Sequence, residues 1–476
     1  MMTLDESSDN TENRGPCLGV RHLIIFLLFL CATVGYAMRA NLSIAIVNMT
    51  DKNCSDSEQC QRFDWDEQLK TVILSSFFWG YVVLQVPSSL LAQRFGIKWL
   101  LLLGTGISSL GTVLTPIAAT TLGWGGVCAM RMIEGFAQGT LYPSIHAALA
   151  VWAPPEERGL LASFAFSGSQ IGTIVTFVVS GYLAASSVGW PLIFYVFGGL
   201  GFAWCLLWFF VAANNPAEHS FISEKEKNYI ERSVSKIEMK ATFRTPWGEI
   251  AKSVPMWAIL IAHCAQNWGF WILLTGIPTY MSKVLGQNIQ ANGLLSSLPY
   301  LAMAILSYVF GWIQDFTIKK KMTSLATSRK IFNSIAFWGG AAALLYLSFV
   351  TKEQKTLAVV LLVVTVGVNA GVYIGFQVNH IDLSPNFAGT MMGITNCVSN
   401  IFSIIGPLVV GFIGTGNDSS EQWKMVFWIT SAVYFLGNLI FIFLGKAERQ
   451  PWDDPNYKKN KSADNVNVTS NTVTGA

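Results

Sequence analysis

The sequence predicts an all-α integral membrane protein of twelve transmembrane helices, arranged as two pseudo-symmetric six-helix lobes. Composition is the first reason: hydrophobic residues make up 52% of the 476 and charged residues only 12%, with a mean hydropathy of +0.44, whereas ordinary soluble domains are roughly a quarter charged. The second is that apolar runs of about 20 residues, long enough to cross a bilayer's hydrocarbon core, recur from one end of the chain to the other. The third is a weak internal repeat. Trp190-Pro-Leu-Ile-Phe194-Tyr195 recurs as Trp423-Lys-Met-Val-Phe427-Trp428, 233 positions later. Gly159 and Gly181 match Gly389 and Gly411, 230 later, and Leu74-Ser-Ser-Phe77 matches Leu295-Ser-Ser-Leu298, 221 later. Three matches in order at nearly one offset argue for two parallel halves with a site between them near the membrane midplane.

Residues 1–21 read as a polar tail. The first span, near 22–48, is too long for the apolar core of a cleavable signal peptide, so none is expected. The loop at 49–68 faces outside. It carries Cys54 and Cys60, which fit either a disulfide or two free thiols, and Asn53-Cys-Ser, a glycosylation sequon at Asn53. Spans near 69–93, 98–120, 122–150, 159–186 and 188–213 complete an N-terminal lobe at 22–213. A charged segment at 214–254 reads as a cytoplasmic linker, with Ser223-Glu-Lys-Glu226 as a capping box that opens a short helix. Spans near 255–282, 293–315, 329–350, 355–380, 387–414 and 422–446 form the C-terminal lobe at 255–446, and the polar residues 447–476 read as a disordered tail. Cys31, Cys128, Cys205, Cys264 and Cys397 fall in apolar runs and read as packing residues.

The net charge is only +3, but it is unevenly placed. Arg94, Lys98, Lys319, Lys320, Lys321, Arg329 and Lys330 fall in connections on one side, with the basic residues of the linker and of the final tail. The positive-inside bias then puts both termini in the cytoplasm, which requires an even number of spans. These clusters call for no nucleic-acid partner.

The candidate site is written in span four. A charge at the bilayer centre costs at least ~2.5–3.5 kcal/mol, so a chain keeps one only where it meets water, a partner or a substrate. Arg131 and Glu134 are such charges. At about 100° per residue, Arg131, Glu134, Gln138 and Tyr142 share an arc of roughly 80° on one helix face. Gly135 and Gly139 border the stripe and leave room for close backbone approach. An ion pair one turn apart that merely neutralises itself is the structural alternative. Arg39 in span one has no acid in its own helix; facing a central cavity it would add to Arg131, and two guanidiniums against one carboxylate favour an anion.

Six motifs now bring a family into view: Tyr36-Ala-Met-Arg39-Ala-Asn41, Ser76-Phe-Phe-Trp79-Gly80-Tyr81, Arg131-x-x-Glu134-Gly135-x-x-x-Gly139, Trp152-Ala-Pro-Pro155-Glu-Glu157-Arg158, Gly293-Leu-Leu-Ser-Ser-Leu-Pro299-Tyr300 and Asn379-His380-Ile-Asp382-Leu-Ser-Pro385. Together they resemble the anion:cation symporters of the major facilitator superfamily, which include sialin, the vesicular glutamate transporters and the type I sodium–phosphate cotransporters. The resemblance covers about residues 20 to 450 and implies a major-facilitator-type fold. It implies Arg39 and Arg131 as substrate contacts; Tyr142, on the span-four stripe, and Asn396 are further candidates, the latter also reading as an interhelical hydrogen bond. Glu134 occupies one of two positions where proton-coupled relatives carry glutamate, and Gln138 occupies the other; an amide cannot release a proton in the useful range. Glutamate transporters carry histidine where Leu74 stands and arginine where Gln266 stands, which argues against glutamate as substrate. Arg158, Asp315, His380 and Asp382 are the gating candidates, the last two read as a helix cap and gate rather than a cation site.

The expected function is therefore an ion-coupled anion transporter working by alternating access, sodium-dependent phosphate cotransporter-like, with a proton-coupled sialin-like organic-anion carrier as the alternative and a non-transporting receptor as a remote third. No cofactor beyond the co-transported Na⁺ or H⁺ is expected, and no enzymatic site: neither a Gly-rich phosphate loop, metal-ligand spacing nor a nucleophile–base pair is legible. The expected partners are a small anion, a coupling cation and the lipid bilayer, with the monomer as the functional unit. The plasma membrane is favoured, because neither tail shows an acidic dileucine.

Overall fold

The computed structural model describes residues 18–50, 63–85, 87–154, 158–238, 245–384, 387–413 and 419–453. Cys54, Cys60 and Asn53 lie outside them. Among the described residues, twelve spans cross the molecule. Span 1 is Val20–Met49, and span 2 is Glu67–Gln85 continued by Ser88–Phe95. Spans 3 and 4 share the helical stretch Ile97–Gln138, and span 4 continues as Leu141–Trp152. Span 5 is Arg158–Ala184, span 6 Pro191–Val211, span 7 Val254–Lys283 and span 8 Ile289–Lys319. Span 9 runs Leu325–Leu347 through a π-helical turn at Ile335–Gly339. Span 10 comes in three pieces, Lys355–Val368, Gly371–Ile374 and Phe376–Leu383; span 11 is Ala388–Ile413 and span 12 Ser419–Leu444.

Sequence patterning predicts separate helices for spans 3 and 4, whereas the chain makes the reversal at Gly123, whose φ of 63° is open to glycine without steric cost. Within the N-terminal lobe, spans 2 and 4 touch backbone to backbone. A Cβ on Gly135 would fall 1.8 Å from the Phe77 carbonyl oxygen, and one on Gly80 2.0 Å from that of Met132. The room that Gly135 and Gly139 leave is thus filled by span 2, in the small-residue packing that lets membrane helices approach closely.

The lobes meet where span 5 packs on span 8, span 2 on span 11 and span 1 on span 7. Cross-lobe contacts gather at the end away from the chain termini: Gly181 abuts Gly293, where an added Cβ would sit 3.2 Å from its Cα, and Glu67 pairs with Lys283 at 3.7 Å.

The linker helix Glu224–Glu238 starts where the sequence places it, and the Glu226 N–H donates to Ser223 Oγ at 3.3 Å. The reciprocal half of the capping box fails. Instead the Glu226 carboxylate accepts from Val20 N–H (2.9 Å), Arg21 N–H (3.0 Å) and Arg21 Nη1 (3.2 Å), capping the positive N-terminal end of span 1. Residues 447–453, the described part of the tail, pack against the C-terminal lobe. Gln450 N–H donates to the Leu383 carbonyl at 2.8 Å, Trp452 packs on Phe387, and the buried Asp453 carboxylate accepts from Ser384 Oγ.

Candidate functional site

Span 4 presents its polar stripe to the protein interior: Arg131 is 2% exposed, Glu134 0% and Gln138 2%, and Arg39 of span 1 is 4% exposed. Arg131 is held within its lobe through both terminal nitrogens, while among the described residues its Nε, like that of Arg39, meets no acceptor. Its Nη1 donates to Glu134 Oε2 at 2.7 Å and to the Met38 carbonyl at 3.0 Å, and its Nη2 to the Arg39 carbonyl at 2.9 Å. The pair joins span 4 to the backbone of span 1. Gln138 Nε2 donates to Ser108 Oγ of span 3 at 2.9 Å, which leaves its Oε1 to accept from Arg39 Nη2 at 3.3 Å.

Arg39 is held differently. Among the described residues no acid pairs with it, and its Nε meets no acceptor. Four rings surround the guanidinium carbon: Tyr36 at 4.8 Å, Phe77 at 4.7 Å, Tyr81 at 4.6 Å and Trp271 at 5.4 Å. Stacking on ring faces stabilises the cation but takes up no N–H donor, so the fork keeps hydrogen-bonding capacity for an oxyanion. Tyr142, half-buried beyond the turn at Gly139-Thr140, lies edge-on to Tyr36 at 6.2 Å and stacks on Phe166 at 5.7 Å.

The C-terminal lobe contributes mainly amides and hydroxyls. Asn396 is half-buried and bonds within its own helix, where its carbonyl accepts from Asn400 Nδ2 at 2.7 Å; the interhelical bond is made one turn on, by Asn267 Nδ2 to Ser399 Oγ at 2.8 Å. Gln266 of span 7 donates to Asn369 Oδ1 of span 10 at 2.5 Å. Among the described residues, a hydrogen bond of 3.0 Å crosses the lobes between the Gln170 amide of span 5 and the Tyr373 hydroxyl of span 10.

The gating candidates separate. Asp382 receives a fork from Arg329, Nε at 2.8 Å and Nη2 at 3.3 Å, while Arg329 Nη1 donates to the Ile374 carbonyl at 2.8 Å. That carbonyl precedes the break in span 10 at Gly375 (ψ −114°), and the freed Phe376 N–H donates to Asn333 Oδ1 at 3.4 Å. One carbonyl and one N–H freed by the break are thus served by side chains of span 9. His380 bridges the Gln377 carbonyl and Thr395 Oγ1, each at 2.9 Å. Since a carbonyl only accepts, its Nδ1 carries the proton. The side chains of Arg158 and Asp315 lie outside the described part of the structure.

Spacing alone could have placed Tyr36 one turn from Arg39, and Phe77 with Tyr81 on one face of span 2. Trp271 and Tyr373 join the site only through tertiary packing.

Twelve spans in two lobes around buried charges define a membrane carrier, and a family model of the Major Facilitator Superfamily matches residues 28–407 and 328–470. The chain belongs to that superfamily. A Drosophila melanogaster protein named "Putative inorganic phosphate cotransporter" is 38% identical, covering 98% of this chain and 92% of its own, and Homo sapiens sialin is 35% identical, covering 94% and 95%. These relatives place the chain in the superfamily's anion:cation symporter group. Among solved structures, a bacterial homolog of the human lysosomal transporter Spinster, inward-facing and unoccupied, aligns with a TM-score of 0.69 at 15% identity over 91% of this chain and 99% of that one, a likeness of fold.

Proposed function

We propose that the protein is an ion-coupled anion transporter that works by alternating access and resembles a sodium-dependent inorganic phosphate cotransporter. The observation that carries this is Arg39, a buried guanidinium between the lobes with ring faces around it and no acid partner among the described residues. A buried cation kept without a counter-ion favours an anionic ligand, and a fork of N–H donors suits phosphate or carboxylate oxygens. Arg131 holds the site's shape from behind, and Glu134, with Gln138, is the coupling position. The lobes at 22–213 and 255–446 rock about this centre, joined by the linker at 214–254, with Arg158, Asp315, His380 and Asp382 at the gate. Cross-lobe contacts at the end away from the termini fit a carrier open toward the cytoplasm, with both termini on that side and the plasma membrane as its location.

A second reading, a proton-coupled organic-anion carrier, is favoured by Glu134, a carboxylate of 0% exposure at the site, and by the 35% identity to a relative named sialin. Uptake of labelled phosphate into proteoliposomes under imposed sodium or proton gradients separates the two. Uptake indifferent to sodium yet driven by a pH gradient overturns the first reading; undiminished uptake by Arg39→Ala overturns both.

A further inference from the structure

The cage around Arg39 is built from both lobes. Tyr36 belongs to span 1 and Phe77 and Tyr81 to span 2, all in the N-terminal lobe, whereas Trp271 comes from span 7 of the other lobe. Trp271 is itself 5% exposed and is anchored across the lobe boundary edge-on to Phe78, at a centroid distance of 4.5 Å. The attraction between a guanidinium and an indole face is electrostatic: it scales with the net charge presented to the ring quadrupole and strengthens where water is excluded. An oxyanion on the free N–H edge of Arg39 cancels much of that charge, and with it much of the pull on Trp271.

We propose that Trp271 is a positioning residue that reads the charge of the anion site: in the empty carrier the Arg39–Trp271 cation–π contact ties the lobes together, and a bound anion loosens it. This rests on the reading of Arg39 as the anion contact. A ligand shifts a conformational equilibrium only through unequal affinity for the two states, and a contact across the lobes that weakens on binding supplies such a difference. The other cage rings cannot do so, because they move with Arg39. Tyr81, slightly closer to the guanidinium at 4.6 Å, is therefore the matched control.

The test compares Trp271→Leu, Trp271→Phe and Tyr81→Leu with the wild type, purified and reconstituted. Hydrogen–deuterium exchange is followed in peptides that span the Gly181 and Gly293 contact, first without any anion and then with inorganic phosphate. Without anion, Trp271→Leu is expected to raise exchange there several-fold, with Trp271→Phe intermediate and Tyr81→Leu at the wild-type level; phosphate raises exchange in the wild type and adds little in Trp271→Leu. In parallel, trans phosphate should accelerate wild-type uptake, and that acceleration should fall toward unity in Trp271→Leu. Equal exchange in Trp271→Leu and wild type, or an equal effect of Tyr81→Leu, overturns the proposal. Should Trp271→Leu loosen the contact while phosphate has no effect on wild type, phosphate is not the anion that releases the contact, and the assignment of the substrate fails instead.

Discussion

Replacing Glu134 by leucine isolates the question of what a fully buried ion pair contributes here. In the wild type Arg131 makes three charge-assisted bonds, one to Glu134 at 2.7 Å and two to the span 1 carbonyls of Met38 and Arg39 at 3.0 and 2.9 Å. Breaking a buried pair from one side usually costs about 3–5 kcal/mol, because a charge is left uncompensated in a dry site. The two carbonyls remain in Glu134→Leu, so the lower end of that range applies. Against a total stability of ~5–15 kcal/mol this is a large loss. The double variant Arg131→Met/Glu134→Leu removes both charges at once and is expected to recover about 2 kcal/mol or more, since apolar replacement of a buried pair is often close to neutral. Denaturant or thermal unfolding of these two variants, the Arg131→Met single variant and the wild type in lipid nanodiscs gives the coupling directly. A Glu134→Leu protein that unfolds with the wild type, or a double variant less stable than Glu134→Leu, would show that the carboxylate does not hold Arg131 in place and that the packing account of span 4 is wrong.

Arg39→Lys keeps the charge but loses the planar fork; the apparent affinity for phosphate in proteoliposome uptake should weaken by roughly 10-fold or more, the equivalent of one charged hydrogen bond. Asp382→Asn leaves Arg329 beside the break in span 10 without its counter-ion and should lower stability by ~1–3 kcal/mol in the same unfolding assay; an unchanged midpoint would mean that the Ile374 carbonyl alone holds Arg329. His219, in the linker, accepts from Phe221 N–H through Nδ1 at 3.2 Å while Nε2 contacts the Val211 carbonyl at 2.9 Å. Burial and the nearby Lys98 cation push its pKa below 6.5, although the Val211 carbonyl and Glu226 pull the other way. The unfolded chain then takes up the proton first, so this contribution is intact at neutral pH and is lost as pH falls below about 6.5. Melting temperature measured from pH 7.5 to 5 should fall, and His219→Asn should remove part of that slope; an unchanged slope assigns it to another group.

Much of the fold was legible because the membrane forces it: apolar runs of a set length have to be helices, and charges inside them have to face inward. The stripe on span 4 followed from helical spacing, and Arg131, Glu134 and Gln138 are buried together as the wheel requires. Spacing offered Glu134 as a partner for Arg131 and no acid for Arg39, but it could not show the rest: Arg131 is also bound by two carbonyls and Arg39 by rings, because the carbonyls and Trp271 come from other helices. The capping box at Ser223 was half legible: local geometry supplied the Ser223 bond, while the Glu226 carboxylate answered to the end of span 1, some 200 residues away in sequence. The division of span 10 carried a weak signal in Gly371 and Gly375, but the side chains that make it tolerable, Arg329 and Asn333, are distant in the chain.

The seam between Gly80 and Gly135 has a mechanical consequence. With main-chain atoms of spans 2 and 4 in direct contact, there is no layer of side chains between them to shear, so the two helices form one stiff plate. Phe77 and Tyr81 ride on one half of that plate and Arg131, Glu134 and Gln138 on the other. Whatever the lobes do, the N-terminal wall of the site keeps its dimensions, and changes in its affinity have to come from what the opposite lobe brings up to it or takes away.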